Sequence, residues 1–129
     1  MNTAKILVTD ANGFIGHQVL QPLISQGFEV HAIANKKLPV SDTINWYKGD
    51  LLNPKHRHEL ISKIKPELLL HIAWYAEHGK FWYAPKNKAW LCASKDLFQQ
   101  FARYGGKRII GVGSCSEYDW RRTNNKHWQ

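Results

Sequence analysis

Lys5-Ile6-Leu7-Val8-Thr9-Asp10-Ala11-Asn12-Gly13-Phe14-Ile15-Gly16 decides the fold. The first five residues are a compact apolar run of the buried-strand type. From Phe14 onward the pattern changes: Ile15, Val19, Leu20, Leu23 and Ile24 recur at helical spacing, and Gly27 supplies a stop. Pro22 falls inside that helix and predicts a bend or a lost hydrogen bond. A strand that passes through a glycine-bearing turn into a helix gathers backbone N–H groups and the positive end of the helix dipole at one point. An anion is favoured there.

Working outward, Glu29 to Ala34 reads as a second strand and Asn45-Trp46-Tyr47-Lys48 as a weaker third. Asn53-Pro54 is a helix entry, a capping side chain followed by proline in the first turn, and Leu60, Ile61 and Ile64 line one face before Pro66. Leu68-Leu69-Leu70-His71-Ile72 is a fourth strand, apolar enough to be covered on both faces. A loop over 73–85 is long enough to suspect function. A helix from about Lys86 to Tyr104 carries Trp90, Leu91, Leu97, Phe98 and Phe101 and ends at Gly105-Gly106. Arg108 to Val112 is a fifth strand, and 121–129 is a polar, aperiodic tail expected to fray. The alternation of strand and helix implies parallel pairing with right-handed crossovers. The expected fold is α/β: a doubly wound, Rossmann-like parallel sheet of about five strands in three α/β/α layers, one domain over 1–120. Such sheets bind ligands beyond the carboxyl ends of their strands, here residues 10–16, 34–37, 49–52, 73–85 and 113–118.

Composition sets the outer limits. The chain has 129 residues, 43% of them hydrophobic and 22% charged, which suits one globular domain with a true core. It has no run long enough to span a bilayer as a helix, and Met1 to Lys5 lacks the pattern of a secretory signal. Cys92 and Cys115 make no disulfide framework, so the expected compartment is the cytoplasm. The net charge of +8 is scattered, with no zinc-finger, zipper or RNA-binding signature, so no nucleic-acid partner is expected. A solvated basic surface, or attraction for a small phosphorylated ligand, accounts for it. His56-Arg57-His58 is no metal site, because residues two apart on a helix do not share a face, and no metal is expected elsewhere.

With these segments in place, Val8 to Gly16 closely resembles the opening of the extended short-chain dehydrogenase/reductases, the NAD-dependent epimerase/dehydratase family. Gly49-Asp50-Leu51, His71-Ile72-Ala73 and Val112-Gly113-Ser114-Cys115-Ser116-Glu117-Tyr118 resemble that family's segments after the third, fourth and fifth strands, in order. The resemblance covers about residues 4–120. It implies an NAD or NADP cofactor and a nucleotide-sugar substrate. It further implies that Asn12, Gly13, Phe14, Ile15 and Gly16 hold the pyrophosphate, that Asp50 with Leu51 meets the adenine, and that Ala73 and Trp74 line the pocket. Ser114 would be the catalytic Ser/Thr that polarises the substrate oxygen. At the end of the second strand, Asn35-Lys36-Lys37 replaces the acidic residue that would bind an NAD ribose, which leans towards the 2′-phosphate of NADP, with two solvated lysines as the alternative.

Departures from the family pattern carry expectations of their own. Its first glycine is here Asp10. A left-handed backbone at that position costs a side chain about 1–2 kcal/mol. A carboxylate about 5 Å from a phosphate, at an effective dielectric near 20, is repelled by roughly 3 kcal/mol per charge pair. Asp10 either weakens cofactor binding or turns away to cap the helix. The family's Tyr-x-x-x-Lys pair, proton donor and its lysine partner, does not occur in the 129 residues; Tyr118 and Arg122 have the spacing but lie in another place and pair with another cation. Little turnover is expected from this chain alone, with a truncated relic or a non-catalytic binding module as the alternative. Trp90 stands where many members have asparagine. The aromatic stretch Trp74 to Tyr83 either stacks on a base or sugar, with Glu77 and His78 near a proton transfer, or packs over the next helix beside Trp90. Cys115 reads as a nucleophile or, more simply, as a buried thiol. The fifth strand is left as an apolar edge at which a homo-oligomer or another partner chain would sit.

Overall fold

The computed structural model describes residues 3–36, 38–74 and 85–113. The elements run β1 (Lys5–Val8), α1 (Phe14–Ser25), β2 (Glu29–Ala34), β3 (Ile44–Lys48), α2 (Pro54–Ile64), β4 (Leu68–His71), α3 (Lys86–Arg103) and β5 (Arg108–Gly111). All four strand pairings are parallel, and the order is β3-β2-β1-β4-β5. Chain order therefore reverses between β1 and β4, the position where an open α/β sheet leaves a crevice at its carboxyl edge.

Strand alternation divides the core in two. Leu7, Ile33 and Leu69 face α2 and α3, packing with Leu60, Ile61, Ile64, Leu97 and Phe101. Ile6, Val8, Val30 and Ala32 face α1 and pack with Leu20, Val19, Leu23 and Ile24. The expected layers are present, but they are unequal: among the described elements, one helix covers the face that opposes two. The expectation that β4 is covered on both faces is corrected here. Leu69 and His71 are buried beneath α3, whereas Leu68 and Leu70, on the α1 face, are only half-buried.

Local signals explain the element ends. Asn53 Oδ1 accepts from the backbone of Lys55 at 2.9 Å and His56 at 3.4 Å, and Pro54 opens α2 as the sequence predicts. Lys65 closes α2 in the left-handed region at φ 50°, and Gly27 follows α1 at φ 91°. Helix α1 runs on through Pro22, which sits in its final turn and removes one interior donor. A half-buried ion pair locks the α2–α3 layer: Arg57 Nε donates to Asp96 Oδ2 at 2.8 Å, and the same guanidinium reaches the carbonyl of Leu51 at 2.7 Å. That bond also fixes the segment after β3. The tail expected over 121–129 lies outside the described residues.

Candidate functional site

A cleft of about 110 Å³ opens at the carboxyl edge of the sheet. Four strand ends and one helix build it. Asp10 comes from the β1 turn, Asn35 from the end of β2, and Asp50 with Leu51 from the end of β3. Ala73 and Trp74 follow β4, and Trp90 projects from α3. Ile33, Ala34 and Gly49 complete the lining. Residues distant in sequence meet here because parallel strands deliver all their carboxyl ends to one edge.

The β1 turn is tight. Gly13 N donates to Asp10 O at 3.0 Å, and α1 begins with His17 N on Gly13 O at 3.0 Å. Asp10 has φ 50°, the left-handed region that aspartate tolerates better than most residues. A Cβ built on Gly13 would stand 2.6 Å from Asp10 Oδ2, so the carboxylate lies directly over the start of α1. Among the described residues no α1 amide bonds to that carboxylate, so the capping alternative is not what the chain adopts. Burial raises the carboxyl above its ordinary range, and Lys36 opposes the rise by attraction. Gly16 serves packing: a Cβ there would fall 2.2 Å from Asp10 O, so glycine alone lets α1 sit this close to the turn.

The other site residues fall into place around this turn. Phe14 is 87% exposed and Ile15 is exposed beside it, and neither lines the cleft. Asn12 points elsewhere, lining a separate hollow with His17, Gln21 and Trp46 on the α1 face. Asp50 is held by its own turn: Leu52 N donates to Asp50 Oδ1 at 2.9 Å, and Asp50 N donates to His56 Nδ1 at 2.9 Å. Trp74 donates from Nε1 to Asn87 Oδ1 at 2.8 Å and lies with its ring centroid 6.4 Å from that of Trp90. That much of the aromatic stretch packs on α3, as one of the two expectations held. Ser114, Cys115, Lys37, Glu77, His78 and Tyr118 lie outside the described residues.

Beneath the cleft runs a buried polar chain. Thr9 Oγ1 accepts from the backbone N–H of Ile72 at 2.8 Å and of Ala73 at 3.0 Å. Both its lone pairs are then used, so its proton goes to His71 Nδ1, 3.0 Å away. The neutral imidazole must carry its hydrogen on Nε2, which donates to Ser94 Oγ at 2.8 Å. Burial holds the imidazole down at about 4, against an ordinary 6.5. The chain ties β1, β4 and α3 together where the cleft floor is laid. Sequence reasoning passed over Thr9, His71 and Ser94 as a group. The available signal was that Thr9 and His71 end two apolar strands whose neighbouring order was not known.

Comparison with known proteins supplies the context. The NAD dependent epimerase/dehydratase family model matches residues 6–127. The chain is 29% identical to UDP-glucose 4-epimerase GEPI42 of Cyamopsis tetragonoloba, over 88% of this chain and 37% of that protein. It is 26% identical to a UDP-glucose 4-epimerase of Pisum sativum, over 91% of this chain and 38% of that protein. The chain thus spans little more than a third of the curated relatives it matches. Among solved structures, the Bordetella bronchiseptica enzyme WbmH in complex with NAD+ superposes with a TM-score of 0.70 at 19% identity, covering 84% of this chain and 38% of that one. The enzyme WbmG of the same organism, in complex with NAD and UDP, gives 0.72 at 20%, covering 85% and 37%. At such identities these structures speak for the fold alone. With the family match spanning nearly its whole length and the cleft at the strand-order reversal, the chain belongs to the NAD dependent epimerase/dehydratase family.

Proposed function

We propose that this chain is the cofactor-binding part of a nucleotide-sugar epimerase, dehydratase or reductase. The observation that carries the reading is the convergence of the β1 turn, Asp50 and Ala73 on one cleft at the switch of strand order. A bound nicotinamide would exchange hydride with a sugar carbon. This chain's residues would bind and orient it. The amides that open α1 at Gly13 to Gly16 would face the diphosphate, Asp50 and Leu51 the adenine, and Ala73 with Trp74 the middle of the cofactor. Ser114 would polarise the substrate oxygen. Asn35 and Lys36 favour a 2′-phosphate, hence a lean to NADP over NAD.

A non-catalytic binding module is the second reading, favoured by Asp10 standing where the family pattern has its first glycine. Calorimetric titration of the chain and of Asp10→Gly with NAD(H) and NADP(H), followed by a hydride-transfer assay over a nucleotide-sugar panel, separates the outcomes. One dinucleotide bound per chain, with negligible turnover, is expected. Failure of both proteins to bind either cofactor ends the cofactor reading, and robust turnover ends the claim of incompleteness. The apolar β5 edge is the proposed seat of a second copy.

A further inference from the structure

We propose that Asp10 makes dinucleotide binding proton-coupled: its carboxylate occupies the diphosphate seat at the start of α1, and the anion enters only when that carboxyl is neutral. The inference rests on the dinucleotide reading above and adds its regulation. Three observations place Asp10 there. Its φ of 50° turns the side chain over the helix start, Oδ2 stands 2.6 Å from where a Gly13 Cβ would be, and the residue lines the cleft itself. The N–H groups and dipole at a helix start favour one negative charge nearby, and Asp10 already supplies it. A diphosphate brought to the same amides meets a like charge in a partly desolvated corner, where repulsion is strongest.

Linkage sets the direction. Partial burial has already moved the carboxyl towards its neutral form. A phosphate alongside moves it further, because a like charge disfavours ionisation. Between the free and bound values, binding takes up a proton, so affinity falls as pH rises through that window. The groups that face Asp10 are Lys36 from the end of β2, which opposes the shift, and Asp50 from the end of β3, across the cleft. His56 bonds to Asp50 N, and His17 lies one turn into α1. Trp74 and Trp90, from the β4 and α3 side, carry no charge. An uncharged adenosine occupies the adenine end without touching the helix start. It therefore reports any contribution of His56 or Asp50 separately from that of Asp10.

Calorimetry with NAD and with adenosine, at pH 6.0 and pH 8.0 and in buffers of differing ionisation enthalpy, tests the proposal on the wild-type chain and on Asp10→Asn and Asp10→Gly. Glycine suits the positive φ, so at least one variant keeps the turn. For the wild type, NAD is expected to bind about tenfold or more tighter at pH 6.0, with uptake approaching one proton, while adenosine affinity stays level. Both variants should bind NAD at pH 8.0 at least about tenfold tighter than the wild type, with little proton uptake. Wild-type NAD affinity that is flat with pH overturns the proposal, as does a variant no tighter than the wild type. If the variants bind NAD and the wild type shows no pH dependence, the coupling fails while the cofactor reading stands. If adenosine and NAD fail for all three proteins, both fail.

Discussion

Thr9 and His71 show how single side chains hold the cleft floor. Thr9 Oγ1 takes two backbone N–H groups from the segment after β4 and gives its own proton to His71. Thr9→Val keeps the shape and strands two buried amides and an imidazole acceptor. It should lower stability by roughly 2–3 kcal/mol, read as a shift in the urea midpoint at pH 7.5. His71 adds a pH dependence whose sign is fixed. Its folded-state value of about 4 lies below the ordinary 6.5, so the fold binds the neutral form. The stability from this group is fully present above pH 6.5 and is lost as pH falls through the window down to about 4. The difference corresponds to roughly 3 kcal/mol at the acid end. Urea melts at pH 7.5 and pH 5.0 should show that loss beginning in the wild type. In a folded His71→Asn variant, the difference between the two pH values should shrink.

At the scale of elements, the strand and helix positions were legible because each carries its own punctuation. The Asn53-Pro54 entry, the Gly27 stop and the apolar runs of β1 and β4 mark ends that the structure reproduces within a residue or two. Asn53→Ala should cost α2 about 1 kcal/mol by removing the acceptor for Lys55 and His56, visible as an earlier urea midpoint. The first-turn departure at Asp10 was equally legible, since aspartate replaces glycine where the backbone turns left-handed. The consequences of Gly13 and Gly16 were not, because spacing does not show what a Cβ would strike. At Gly16 the obstacle is the backbone carbonyl of Asp10, which cannot move without unseating α1. At Gly13 it is the end of the Asp10 side chain, which can. Gly16→Ala should therefore cost roughly 2–3 kcal/mol in any background, whereas Gly13→Ala should cost less once Asp10→Gly is present. A double-mutant cycle by urea melts checks both statements. Equal coupling at the two glycines would refute the contrast.

For the whole molecule, parallel order followed from the strand–helix alternation, but the unequal cover of the sheet did not. Periodicity reports which face of a strand is apolar, not whether a helix lies over it. The register pairs Leu70 with Ile110 and Leu69 with Ile109. Leu69 and Leu70 face opposite layers, so β5 presents Ile110 to the α1 side and Ile109 to the α3 side. Every residue of β5 is exposed, and Ile110 and Val112 retain 45% of their surface beside half-buried Leu68, Leu70 and Ile72. Such a strip, ending in a strand that no further described strand flanks, is a template for pairing with another chain. Two copies related by a twofold axis would set β5 antiparallel to its mate, placing Arg108 of one opposite the Gly111 end of the other. The positive charges at Lys107 and Arg108 would thereby stay apart. Sedimentation should accordingly show concentration-dependent dimerisation of the wild type. Ile110→Lys, which sets a charge in the strip at an already exposed position, should leave the urea midpoint within about 0.5 kcal/mol and yield a monomer. A wild type that sediments as a monomer at every concentration, or a variant that still dimerises, would place the association elsewhere or deny it.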